Sequence, residues 1–146
     1  MMTSTLIRRK LVLLVEDNPA CGKLFTSILT NGFGCRVHCA TDGAAARAFL
    51  AQHRPDAIQM DIQLPGESGW ELIRGFNMDE RCRDIPIFVV TACGLFFKEA
   101  HLHERALIVA EMEKPVSVPA YVMMVQCVLR GIDAKTGRNA MAVAVA

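Results

Sequence analysis

From Leu11 onward the chain alternates between short apolar runs of strand length and stretches whose apolar residues recur at helical spacing. Leu11-Val12-Leu13-Leu14-Val15 is the first run and ends at Glu16-Asp17; Ala57-Ile58-Gln59-Met60 ends at Asp61. Ile85 to Val90 is almost continuously apolar, as suits a strand covered on both faces, and ends at Thr91. Leu107-Ile108-Val109-Ala110 leads toward Lys114-Pro115, and Cys35-Arg36-Val37-His38-Cys39 alternates as a half-buried strand does.

Between these runs, Asn18-Pro19 offers a cap and a favourable first helical residue, followed by a stripe of Leu24, Phe25, Ile28 and Leu29 that stops near Gly32. Asp42 can cap an alanine-rich helix with Phe49 and Leu50 facing in. A third helix is predicted from about Trp70 to Met78, with Leu72, Ile73 and Phe76 on one side; a fourth spans about Leu95 to Ala106. The last runs from Pro119 to Arg130, with Val122, Val125, Cys127, Val128 and Leu129 as its apolar surface. Five βα units with short connections predict an α/β fold: a five-stranded parallel sheet with helices on both faces. The strand ends then share one edge, the place where open α/β sheets bind ligands.

A chain of 146 residues, 52% apolar and 21% charged, suits one globular core. The expected division is an arm over residues 1–9, a domain over 10–131 and a flexible tail over 132–146. No room is left for a DNA-reading domain. A net charge of +1 gives no general pull toward nucleic acid or an acidic membrane. No apolar run approaches the ~18 residues of a membrane span, and Ile7 to Val15 lacks the length and cleavage site of a secretory signal. The six cysteines form no CxxC pair, so reduced thiols and a cytoplasmic location are expected. His101 and His103 lack paired ligands at metal spacing and read as helix-surface residues.

Any one of the residues at the run ends is ordinarily a solvated loop former or a cap. Taken in order, Glu16-Asp17, Asp61, Thr91 and Lys114-Pro115 resemble the receiver domain of two-component response regulators, over roughly residues 10 to 130. Met60-Asp61-Ile62-Gln63-Leu64-Pro65-Gly66-Glu67-Ser68-Gly69 and Lys114-Pro115-Val116-Ser117-Val118 are similar to stand-alone receivers of the DivK kind. The resemblance implies a flavodoxin-like (βα)5 receiver fold and a signalling phosphoacceptor, not an enzyme. Asp61 would be the nucleophile that becomes an acyl phosphate. Asp17 and Asp61 would bind Mg²⁺ directly, with Mn²⁺ as a substitute; Glu16 would act through water, and the Gln63 backbone carbonyl would add a ligand. Lys114 would neutralise phosphoryl oxygens, Thr91 and the Ala92 N–H would donate to them, and the Lys114-Pro115 bond would be cis. The implied partners are a histidine kinase or phosphotransfer protein and a downstream target protein. A monomer is expected, with dimerisation through the fourth and fifth helices as the alternative.

The stretch between Thr91 and Lys114 departs from the family. It carries one extra residue, and the aromatic position three before the lysine holds Glu111. A carboxylate cannot enter an apolar slot without a large desolvation cost. Flexible Met112 is therefore the candidate to fill the slot, the alternative being a receiver-fold binding module or phosphate sink that does not switch. Leu95-Phe96-Phe97 would pack on the sheet or form part of a partner patch. A phosphohydrolase using Asp61 would need an acid two residues on, where this chain has Gln63, whose amide cannot serve.

Overall fold

The computed structural model describes residues 8–92, Glu104 and residues 108–135. The expected helix near 95–106, the Leu95-Phe96-Phe97 run, Cys93, His101 and His103 fall outside these residues, apart from Glu104.

Five strands, β1 (Leu11–Val15), β2 (Arg36–Ala40), β3 (Ala57–Met60), β4 (Ile87–Thr91) and β5 (Ile108–Glu113), form one parallel sheet in the order β2-β1-β3-β4-β5. The described α-helices are α1 (Pro19–Ser27), α2 (Gly43–Leu50), α3 (Gly69–Met78) and α4 (Val118–Lys135). Alternation along the strands feeds two cores. Leu13, Val15, Ile58, Met60 and Val89 face Leu50, Leu72, Ile73 and Phe76 of α2 and α3. Val12, Leu14, Phe88, Val90 and Met112 face Phe25 of α1 and Tyr121, Met124, Val125 and Val128 of α4. All five β4 residues are buried, as a strand covered on both faces requires.

Local signals start the helices where the sequence places them. The Asn18 side chain accepts from the Cys21 N–H at 3.0 Å, with Pro19 at the first helical position. Asp42 caps α2 through the Ala45 N–H at 2.7 Å, and Ser68 caps α3 through the Trp70 N–H at 3.1 Å.

Several expectations are corrected by packing. On α1, Phe25 is buried but Leu24 is exposed, and the helix continues into a π turn over Ile28–Gly32 that buries Leu29. β2 is an edge strand, so only Val37 and Ala40 turn appreciably inward; Cys39 is exposed, while Cys35 is buried just ahead of the strand. Phe49 is half-buried, stacked between His38 (4.2 Å) and His53 (4.7 Å). The last helix extends beyond residue 131 to Lys135, with Ile132 against the core and Asp133 paired to Lys10 at 2.8 Å. Its buried stripe is Tyr121, Met124, Val125 and Val128, whereas Cys127 is exposed.

The extra residue before Lys114 is absorbed within β5. Ile87 pairs with Ile108 but Phe88 pairs with Ala110, which leaves Val109 as a bulge. Beyond it, Glu111 pairs with Val89 and shares its face toward α2 and α3, while Met112 pairs with Val90 and is buried on the α1/α4 side. Met112 therefore cannot fill the slot that Glu111 leaves, because period-two alternation turns the two to opposite faces.

One buried polar contact crosses the second core. The Tyr121 hydroxyl donates to Gln59 Oε1 at 2.5 Å, with the two residues 0% and 1% exposed. Phe25 packs on the Tyr121 ring at 4.7 Å, and burial pushes the phenol's pKa well up, keeping it a donor. Tyr121→Phe should lose about 1–3 kcal/mol in urea unfolding, because it leaves the Gln59 carbonyl buried without its donor. The double variant Tyr121→Phe/Gln59→Leu should recover most of that loss; equal stability of Tyr121→Phe and wild type would show that the contact contributes nothing.

Candidate functional site

The parallel topology carries the ends of β1, β3, β4 and β5 to one edge, and every residue the sequence singled out for chemistry lies there. Asp61, 5% exposed, follows β3 and receives three donors. The Thr91 hydroxyl donates to its Oδ1 at 2.8 Å, the Gln63 backbone N–H to the same oxygen at 3.0 Å, and Lys114 Nζ to Oδ2 at 3.0 Å. Lys114 also donates to Glu16 Oε1 at 2.5 Å, so one ammonium bridges the ends of β1 and β3 from the far side of the sheet. The Lys114-Pro115 peptide is cis, and the Lys114 N–H donates to the Thr91 carbonyl at 2.9 Å.

Glu16 is almost fully buried, and burial raises its pKa. Repulsion from Asp61 acts in the same direction, and Lys114 opposes it. Lys114 is itself held above its ordinary value: burial opposes its charge, but the two carboxylates outweigh that cost. Asp17 is exposed and completes the group, with one oxygen each of Glu16, Asp17 and Asp61 lying within 4.8 Å of one another. An all-carboxylate donor set open to solvent on one side fits a hard, oxygen-seeking divalent cation that keeps part of its water shell.

Close packing shapes the floor. A Cβ at Gly69 would come within 2.6 Å of the Asp61 carbonyl oxygen, so α3 can begin this close to β3 only with glycine there. Its N–H donates to the Ile62 carbonyl at 2.8 Å. Ala92 follows β4, exposed beside Thr91, and Gln63 is exposed with its backbone bridged to Ser68. A groove of about 530 Å³ opens at Glu16 and Asp17 and follows α1 past Gly22 and Lys23. Sequence reasoning missed Arg47, whose guanidinium takes the Glu67 carboxylate in the loop after Asp61. No local signal announces a pair on separate elements.

This fold and this edge define a class. The response regulator receiver domain model matches residues 12–119, and the chain belongs to that family. It is 34% identical over 120 residues to the polar-differentiation response regulator DivK of Brucella anthropi, a match covering 82% of this chain and 96% of that protein. The receiver domain of a sensor histidine kinase from Pseudomonas aeruginosa, solved with magnesium coordinated in its active-site cleft, superposes with a TM-score of 0.73 at 28% identity. That alignment covers 86% of this chain and 99% of the other. A chemotaxis response regulator of Vibrio cholerae, at 24% identity and a TM-score of 0.73, shares the fold.

The buried Glu16 generates a pH prediction. With its folded pKa raised above the ordinary 4.5, its contribution to stability is fully present below the unfolded value and is lost as pH rises through the folded one. Glu16→Gln imitates the protonated form. Without metal, the variant should unfold at higher urea than wild type at pH 8, and the difference should close as pH falls toward 4.5. A variant less stable than wild type at pH 8 would show that the Lys114 pairing outweighs burial.

Proposed function

We propose that this chain is a phosphorelay response regulator that accepts a phosphoryl group on Asp61 from a phosphohistidine of a kinase or phosphotransfer protein. It then signals by contact with a downstream target protein. The observation that supports this best is the convergence on one buried carboxylate of a hydroxyl, an ammonium and a backbone N–H, beside two further carboxylates.

An Asp61 oxygen attacks phosphorus and the phosphorus–nitrogen bond of the donor breaks, the imidazole leaving with the bond electrons and a proton from solvent. Phosphoryl transfer of this kind needs positioning and charge neutralisation more than covalent machinery. Lys114, already on Asp61 Oδ2, turns its donors to the incoming oxygens. The Thr91 hydroxyl, now on Asp61 Oδ1, exchanges that acceptor for a phosphoryl oxygen, and the Ala92 N–H serves another. Glu16, Asp17 and Asp61 would hold Mg²⁺ (or Mn²⁺), with Glu16 through water and the Gln63 carbonyl as a further ligand. Bound there, the cation offsets the repulsion between the carboxylates and the phosphoryl group.

The chain acts as an acceptor rather than an enzyme, in the reducing cytoplasm that suits its buried Cys35 and Cys82 thiols, which burial keeps protonated. A second reading, a receiver that takes phosphate without switching, is favoured by Glu111, which lies on the face of β5 shared with Val89 where the family places an aromatic ring.

Incubation with acetyl phosphate and Mg²⁺ should add one phosphoryl group (on the order of 80 Da) by intact mass. Chelation should abolish the gain, and Asp61→Asn should not show it. A folded wild-type chain that gains no mass with any divalent cation would overturn the acceptor chemistry.

A further inference from the structure

The loop that joins Asp61 to α3 is tied down at both ends within itself. Gln63 bridges to Ser68, and Gly69 donates to Ile62. Its tip is tied to a different element. The Glu67 carboxylate faces the Arg47 guanidinium of α2 fork to fork, with Nη1–Oε1 at 2.6 Å and Nη2–Oε2 at 2.8 Å. That geometry matches two planar groups through paired donors and fixes orientation as well as charge. The same carboxylate lies over the first residue of α2, where a Cβ on Gly43 would run into it. The guanidinium holds the Glu67 carboxyl below the usual carboxylate range. The Glu67 side chain keeps 21% of its exposure and that of Arg47 52%, so the pair sits at the rim of the domain, at the acid site's loop.

We propose that Arg47 and Glu67 form a latch that pins the β3–α3 loop to the start of α2 and thereby sets how tightly the Glu16, Asp17 and Asp61 cluster holds a divalent cation. The proposal rests on the reading of that cluster given above. The physical link is short. The loop starts at the residue after Asp61, and its Gln63 N–H already donates to Asp61 Oδ1 at 3.0 Å. Freeing its tip lets the loop sample conformations that must be given up when a cation is bound, so affinity falls although no proposed ligand has changed. Arg47 and Glu67 are positioning residues in this account. Neither belongs to the carboxylate group itself.

The test uses the full chain with Mg²⁺ alone as the probe. Trp70, the one tryptophan of the sequence, lies in the first turn of α3 at the end of this loop and reports the titration by fluorescence. Arg47→Met and Glu67→Gln should each raise the Mg²⁺ dissociation constant about two- to five-fold, the range that a partly exposed ion pair can supply. In metal-free protein, both should speed hydrogen exchange of the amides over residues 62–70 while leaving β1 and β4 protected. The charge-reversed double variant Arg47→Glu/Glu67→Arg should recover most of the affinity and protection.

Variants with wild-type affinity would overturn the latch, whether or not exchange speeds up, because the loop would then be irrelevant to the cation. Faster exchange throughout the sheet would also overturn it, since the pair would then serve the fold as a whole. A wild-type chain that binds no Mg²⁺ in calorimetry would sink the metal reading and this proposal with it. Wild-type binding that the variants match would sink the latch alone.

Discussion

The bridge that Lys114 makes between Glu16 and Asp61 is the interaction on which the site depends. Lys114, 14% exposed, lies between two carboxylates whose side chains are 1% and 6% exposed, and supplies a positive charge to both from within the chain. Partly buried ion pairs of this kind stabilise a fold little once desolvation is counted. What the arrangement provides is a set of acidic oxygens held in place, together with a positive charge on a long stem that can move toward a developing anion. The burial that makes the site costly also keeps Thr91 and Lys114 trained on Asp61 instead of on water.

β3 carries that arrangement, and it is anchored on both sides of the sheet. Ile58 and Met60 go into the α2/α3 core, while Gln59 reaches the other way to the Tyr121 hydroxyl. At its end, Gly69 lets α3 start against the Asp61 carbonyl, and the Glu67–Arg47 pair ties the intervening loop to α2. Asp61 thus sits at a junction of one strand with elements from both faces, which gives its carboxylate little freedom to wander.

The bulge at Val109 shows how the fold accommodates an irregular sequence. One residue is taken out of the ladder between Ile108 and Ala110, so the pairs from Phe88–Ala110 to Thr91–Glu113 stay in step, and Lys114 arrives beside Thr91. The pairing that sets Lys114 beside Thr91 is therefore undisturbed by the bulge. On β5 itself, Glu111 shares the face of Val89 toward α2 and α3, and the apolar Met112 beside it is committed to the opposite core.

Much of this was legible in the chain itself. Apolar runs with period two, caps such as Asn18 and Asp42, and the helical stripe of α3 are local signals, and parallel βα order is enough to collect Glu16, Asp17, Asp61, Thr91 and Lys114 at one edge. Packing decided what local patterns could not. Tyr121, rather than Cys127, faces the core of the last helix; Leu24 is left outside; and Gln59, an unremarked polar residue in an apolar run, meets a hydroxyl 62 positions away. The Arg47–Glu67 pair and the direction of Met112 belong to the same group. The sequence by itself determined the elements, their order and the chemistry at the sheet edge, because short-range periodicity and strand polarity dictate them. Only the tertiary structure decided which side chains meet across elements, because strand register and helix rotation are set by the mutual fit of two cores.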